Sequence, residues 1–231
     1  MKLLAWGQLP EQLRTEAVRP YYESLAGKRI QLIGKRCIDI VGSLVLLVLL
    51  SPVFLVLAIA IKLDSPGPVF YRQERVTQYG RRFRIFKFRT MCNNADKIGS
   101  AVTTGGDARV TRVGAKIRDY RLDEISQLID ILRGTMTFVG TRPEVPKYVS
   151  EYTPEMMATL LLPAGVTSTA SIRFKDEAEL LNAADDVDKV YVREVLPLKM
   201  EYNLQDVKDF SLSRDMGTML ETVGAVTKRG E

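Results

Sequence analysis

The stretch "IVGSLVLLVLLSPVFLVLAIAIK", residues 40 to 62, constrains this chain more than any other. Its uncharged run Ile40 to Ile61 would form a helix roughly 33 Å long at about 1.5 Å per residue, which matches a hydrocarbon core of about 30 Å. Two features complicate a simple crossing. Lys28, Arg29, Lys35 and Arg36 precede the run, and Lys62, Arg72 and Arg75 follow it, whereas a spanning segment carries its basic excess on one side. Pro52 lacks an amide proton and breaks or kinks a helix near Leu50, and Ser51 can satisfy a carbonyl freed by the break. A segment that enters a bilayer, turns at Ser51-Pro52 and returns to the same face accounts for both. A single kinked spanning helix is the alternative.

About 170 residues remain beyond this element, enough for one globular domain with a sizeable core. The net charge of +5 suits an anionic partner such as a lipid surface or a phosphorylated substrate. Cys37 and Cys92 are the only cysteines, so neither a disulfide framework nor a thiolate metal site is expected. The chain has no histidine. Its chemistry must therefore come from carboxylates, hydroxyls, thiols, lysines or arginines, and oxygen ligands would favour magnesium or manganese over zinc. Carboxylate, arginine and magnesium are the tools of phosphoryl transfer.

The sequence divides into a polar N-terminal extension (1–34), with a short surface helix broken before Pro20, the apolar element (35–62) and a cytoplasmic domain (63–231). After the Ser65-Pro66-Gly67-Pro68 turn, "VFYRQERV" and "RRFRIFKFRTM" flank Gly80 and read as a hairpin. Residues 72 to 89 hold seven basic residues against one acidic. Arg72, Arg81 and Arg82 suit anionic headgroups as well as a substrate, and no nucleic-acid motif accompanies them. "LDEISQLIDILRG" places Leu122, Ile125, Leu128, Ile129 and Leu132 on one helical face with Gly134 as a stop. Asp123 and Glu124 there are either favourable first-turn charges or site residues. "EMMATLLLPAGVTSTASIRF" reads as a helix followed by an extended segment. Met216, Met219, Leu220, Val223 and Val226 form a final helical stripe that suits either a core or a lipid surface.

In order, "KRCIDIVGSLVLLVLLSPVF", "SPGPVFYRQERV", "FRIFKFRTM", "DARVTRVG", "LDEISQL", "GTMTFVGTRPEVP" and "GVTSTASIRF" resemble the bacterial sugar transferases of the monotopic phosphoglycosyl transferase family. The resemblance covers about residues 33 to 225. It implies a mixed α/β fold with a re-entrant membrane helix hinged at Ser51-Pro52, a small antiparallel sheet and interfacial amphipathic helices. It also implies transfer of a sugar 1-phosphate from a nucleotide diphosphate sugar, uridine being the expected nucleoside, to polyprenyl (undecaprenyl) phosphate. The setting would be the cytoplasmic face of a bacterial inner membrane, with Mg2+ and a covalent aspartyl intermediate, at the start of exopolysaccharide, capsule, O-antigen or glycoprotein glycan synthesis.

Members carry acids just after the "KFRTM" block, where this chain has Asn93 and Asn94. Asp96 is the carboxylate left in that stretch and is the expected nucleophile and magnesium ligand, with Asp107 as another metal-ligand candidate. Arg75, Lys87, Arg89, Arg109, Arg112 and Arg142 are the expected phosphate contacts, because guanidinium pairs well with a diphosphate. Asp123 and Glu124 would orient those cations or hold magnesium through water. The chain departs from the family at Thr135, where aspartate is usual, at Ser126 and Thr141, where proline is usual, and at Pro163-Ala164-Gly165. Two other readings stay open: a non-catalytic relative that binds polyprenyl phosphate or a partner, and a single-span anchor with a basic recruiting domain. A homo-oligomer is compatible with all of them.

Overall fold

The computed structural model describes residues 1–93, 95, 107–174 and 186–227. After helix α1 (Arg19–Ala26) come α2 (Arg29–Leu49) and α3 (Ser51–Asp64), bent by 61° at Leu50. Pro52 sits in the first turn of α3, where its missing N–H has no partner to lose. The Ser51 hydroxyl donates to the Val48 carbonyl at 2.8 Å, so the break is satisfied locally. No single helix among the described residues is long and apolar enough to cross a membrane, and only the bent pair passes that test together. Val48, Leu49, Leu55 and Val56 on its outer side are 63–67% exposed.

The inner side of α2 is polar. Lys35, Asp39 and Ser43 recur every four residues and are all buried. Asp39 accepts from the Thr137 hydroxyl at 2.9 Å and the Phe138 amide at 3.1 Å. Lys35 donates to the Val139 carbonyl and pairs with Asp215, and Arg36 donates to the Ile131 and Leu132 carbonyls. An isolated charge in such a place costs several kcal/mol, so each of these groups is viable only with its partner in position.

The expected hairpin forms from β1 (Phe70–Val76) and β2 (Arg82–Phe88), antiparallel, with Phe70 opposite Phe88 and Val76 opposite Arg82. Helix α4 (Arg112–Asp119) leads into a 3-10 turn (Leu122–Gln127) and α5 (Leu128–Arg133). Gly134, at φ +80°, ends α5 as expected of a left-handed cap. A second strand pair was not anticipated. β3 (Met136–Val139) and β4 (Ala164–Thr167) run parallel, so the structure has two small two-stranded sheets rather than only antiparallel strands. The chain between them holds α6 (Pro146–Val149) and a 3-10 turn (Met156–Leu161) where a helix was expected. After β4 come α7 (Thr169–Arg173), α8 (Val187–Val190), a π-helical turn, α9 (Leu196–Lys208) and α10 (Leu212–Thr227).

The N-terminal stretch is polar in composition yet built into the main core. Leu9, Leu13, Val18 and Leu25 are buried with Leu160, Leu161, Val207 and Phe210, each large side chain worth about 1.5–3 kcal/mol when fully buried. Pro20 does not end a helix but opens α1, because proline's fixed φ suits a first turn. In α10, Met216, Leu220 and Val223 are exposed and Met219 is half-buried. These members of the stripe are therefore surface rather than core, and the Val226 side chain lies outside the described residues.

Gly165 in β4 faces Gly140 at the end of β3, and a Cβ on Gly165 would fall 2.2 Å from the Gly140 carbonyl oxygen. The Gly165 amide also donates to Thr141 at 2.8 Å, which sets the course of the loop carrying Arg142. Gly165→Ala should therefore cost about 1–3 kcal/mol through overpacking. A lowered denaturation midpoint with unchanged helix content would bear this out, and wild-type stability would refute it.

Candidate active site

The 3-10 turn Leu122–Gln127 sets Glu124 against β2 and the loop after β3. Lys87 of β2 donates to Glu124 Oε1 at 2.9 Å. Arg142 Nη1 donates to Glu124 Oε2 at 3.2 Å, and its Nη2 donates to Oε1. Two cations on one carboxylate hold Glu124 well below the usual carboxylate range, against the opposing effect of its burial. The same contact pushes Arg142 above its ordinary value. Its neighbour Asp123 behaves differently. Burial raises its pKa, Lys87 opposes that shift and the adjacent Glu124 charge adds to it. Among the described residues Asp123 has no ion-pair partner within 4 Å.

Glu124 and Arg142 stand at the polar end of a cavity of about 540 Å³. Asp119 and Arg121 lie on the same rim, while Leu46 and Leu50 from the break in α2, with Ile125, Leu128 and Phe138, form apolar wall. The cavity thus joins a charged cluster to the bend of the apolar helix pair. Such a shape suits a ligand with a phosphate head and a hydrocarbon tail.

The other expected site residues are placed differently. Arg89 is 5% exposed and donates to the Pro66, Ser65 and Ile61 carbonyls at 2.9, 2.6 and 3.4 Å. It caps the exit of α3, and those donors are engaged by backbone carbonyls. Arg75 donates to the Pro143 carbonyl at 3.1 Å and to Gln73 at 3.2 Å. Together with the Val76 amide on the Glu144 carbonyl at 2.9 Å, it pins the loop that bears Arg142. Arg75 therefore supports the site from below.

Arg109 grips Asp107 in a bidentate pair at 2.9 and 2.6 Å, and these bonds lower the Asp107 pKa to about 2. Asp107 is thus engaged within its own turn. Arg112 is exposed and opens α4 at the end opposite Asp119, roughly 10 Å away along the helix. Asp96, the expected nucleophile and metal ligand, lies outside the described residues, as does Asn94. Sequence reasoning missed Arg121 and the walls supplied by Thr167, Ser171 and Thr222, which carry no local signal. Asp39 could have been found, as the carboxylate that immediately precedes the uncharged run from Ile40.

A sequence model described as bacterial sugar transferase matches residues 30–229, most of the chain. The chain belongs to the bacterial sugar transferase family. It is 35% identical, over 83% of its length, to an Aeromonas hydrophila UDP-N-acetylgalactosamine-undecaprenyl-phosphate N-acetylgalactosaminephosphotransferase. It is 36% identical, over 82%, to a Caulobacter vibrioides UDP-glucose:undecaprenyl-phosphate glucose-1-phosphate transferase. With the exopolysaccharide production protein PSS of Rhizobium leguminosarum bv. phaseoli it shares 33% identity over 87% of its length. The chain spans 43% of the Aeromonas relative, 68% of the Caulobacter one and 99% of the Rhizobium one.

Glu124→Gln should leave Lys87 and Arg142 facing each other uncompensated and cost about 1.5–3 kcal/mol. The folded-state carboxyl is depressed, so its contribution is fully present above the ordinary glutamate value of about 4.3 and drains as pH falls through the lower folded value. Denaturation of wild type and variant at pH 7 tests this. Equal stability would mean that the cluster contributes nothing to the fold.

Proposed function

We propose that the chain transfers a sugar 1-phosphate from a uridine diphosphate sugar to polyprenyl phosphate on the cytoplasmic face of a bacterial inner membrane, starting a surface glycan. The observation that carries this reading is the cavity joining Glu124 and Arg142, the former also paired with Lys87, to the break between α2 and α3. The relatives' names, which combine sugar phosphate transfer with undecaprenyl phosphate, support it.

Among the described carboxylates, Asp123 best suits the role of nucleophile. It is half-buried beside Lys87, its pKa is raised and it has no ion-pair partner among the described residues, whereas Glu124 is neutralised by two cations. An Asp123 oxygen would attack the sugar-bearing phosphorus, the bond to the bridging oxygen would break, and uridine monophosphate would leave. An oxygen of the lipid phosphate would then attack the same phosphorus, free the carboxylate and form a polyprenyl diphosphate sugar. Arg142 and Lys87 would bind and orient the diphosphate, and Glu124 would hold both cations in place.

No group of three or more acidic or cysteine side chains that could cage a metal ion occurs among the described residues. Asp123, with no ion-pair partner among the described residues, fits the looser mode in which Mg2+ is held by a single carboxylate, water and substrate phosphates. When bound, the ion would neutralise charge on the diphosphate.

Donor without acceptor should release one nucleoside monophosphate per enzyme and leave a sugar phosphate on the protein, and peptide mapping should place it on Asp123. Mapping to Asp96 would move the chemistry to the segment after "KFRTM", and no release with any sugar nucleotide would favour a non-catalytic relative. Because burial raises the Asp123 pKa, the first step should lose rate on acidification at a higher pH than an ordinary aspartate would give, with Asp123→Asn inactive throughout. A profile that falls only where an ordinary aspartate titrates, or does not fall at all, would sink the assignment.

Both ends of the bent pair would face the cytoplasm. Single cysteines introduced by Ile30→Cys and Lys62→Cys, both exposed positions, can be probed after the exposed Cys37 and Cys92 are replaced by serine. An impermeant thiol reagent applied outside should label neither, and labelling of one alone would establish a spanning helix.

A further inference from the structure

The cavity rim holds a cation that the chemistry above does not use. Arg121 lines the cavity, is exposed, and its side chain has no hydrogen-bond or ion-pair partner among the described residues. Its backbone is left-handed, at φ +52° and ψ +26°, a conformation that glycine adopts without strain and most residues avoid. The turn is held from both sides, by the Arg121 amide on the Arg118 carbonyl at 2.9 Å and the Glu124 amide on the Arg121 carbonyl at 3.4 Å. A strained, positioned and unpartnered arginine at a cavity mouth is the kind of outlier that points to a ligand. Beside it Tyr120 is 74% exposed on the same rim, an aromatic with a polar tip of the sort that lies at lipid–water boundaries.

Two helices contribute to the lining of the same cavity. Leu46 and Leu50 come from the end of α2, and Thr222 and Ala225 from α10. The Thr222 hydroxyl meets that of Thr167 at 2.8 Å, which fixes α10 to β4 at this point. On the outer faces of the same two helices, Leu49, Leu220 and Val223 are 67%, 71% and 61% exposed. Apolar surface therefore continues from the outside of the molecule to the cavity wall.

We propose that the gap between α2 and α10 is the lateral entrance for the isoprenoid chain of a lipid monophosphate, and that Arg121 receives its phosphate. This rests on the transfer reading and adds where the acceptor lies. A soluble nucleotide sugar has no use for an apolar entrance. A two-chain phospholipid presents a phosphodiester with one charge, whereas a single-chain phosphate monoester brings up to two and suits an unpaired guanidinium near Arg142. At about 540 Å³ the cavity takes in only the head end of a long polyprenyl chain, the remainder staying in the bilayer.

The full chain in lipid nanodiscs can be labelled with a diazirine-bearing polyprenyl phosphate. Adducts should map to the peptides containing Leu46 to Leu50 and Thr222 to Ala225, with undecaprenyl phosphate competing and undecaprenol and phosphatidylglycerol not competing. Arg121→Gly relieves the backbone strain and so should fold. It should cut labelling and raise the KM for lipid phosphate by about tenfold or more, while the KM for the sugar nucleotide moves by less than about twofold. Lys116→Gln removes the same charge from the exposed face of α4 and should leave labelling unchanged, and Ala225→Trp should obstruct the entrance.

Adducts elsewhere, equal competition by phosphatidylglycerol, or an unaltered Arg121→Gly protein would overturn the proposal. A rise in the donor KM instead would assign Arg121 to the nucleotide. Absence of nucleoside monophosphate release would remove the transfer reading, yet the labelling pattern would still decide the entrance.

Discussion

The polar face of α2 is the constraint on which the rest of the structure depends. Asp39 binds β3 through Thr137 and Phe138, Lys35 binds the end of β3 and Asp215 of α10, and Arg36 binds the end of α5. These side chains lie within about one helical turn of each other. They join a helix that is apolar on its outside to a domain that is mostly polar on its surface. Because each charge is costly without its partner, the helix has one favourable rotation and one depth against the strands, and the position of Leu46 and Leu50 follows from it.

The site inherits its geometry from that anchoring. β3 leads directly into the loop Gly140 to Glu144, which Gly165 of β4 and Arg75 and Val76 of β1 hold. Arg142 is thereby delivered to Glu124, and the pair closes the polar end of a cavity whose other wall is the break in the apolar helices. A charged cluster in contact with hydrocarbon is otherwise hard to build, since water and lipid each exclude one half of it. Here separate elements supply the two halves, and the bend at Leu50 brings them together.

Several arginines that look alike in sequence have different work in the structure. Arg89 caps α3, Arg75 supports a loop, Arg109 is paired with Asp107, and among the described arginines only Arg142 and Arg121 line the cavity. The family blocks made Lys87, Arg142, Asp123 and Glu124 legible as a group, because short motifs fix residue type and order. They did not distinguish a guanidinium facing a cavity from one facing a carbonyl. That difference lies in which backbone groups remain unpaired nearby, and those groups come from segments distant in the chain.

The sequence by itself determined the apolar run and its interruption at Ser51-Pro52, the hairpin around Gly80, the stop at Gly134 and the family. Each rests on local chemistry: hydrocarbon length, a missing amide proton, strand composition or a left-handed cap. Tertiary structure alone decided that β3 and β4 pair in parallel, that residues 1–28 join the core, and that Asp123 has no ion-pair partner among the described residues beside a neutralised Glu124. It also placed Arg121 at a cavity mouth between α2 and α10. The physical reason is the same in each case: pairing, burial and ionisation depend on partners about 20 to 180 residues away, and no local pattern records the distance between them.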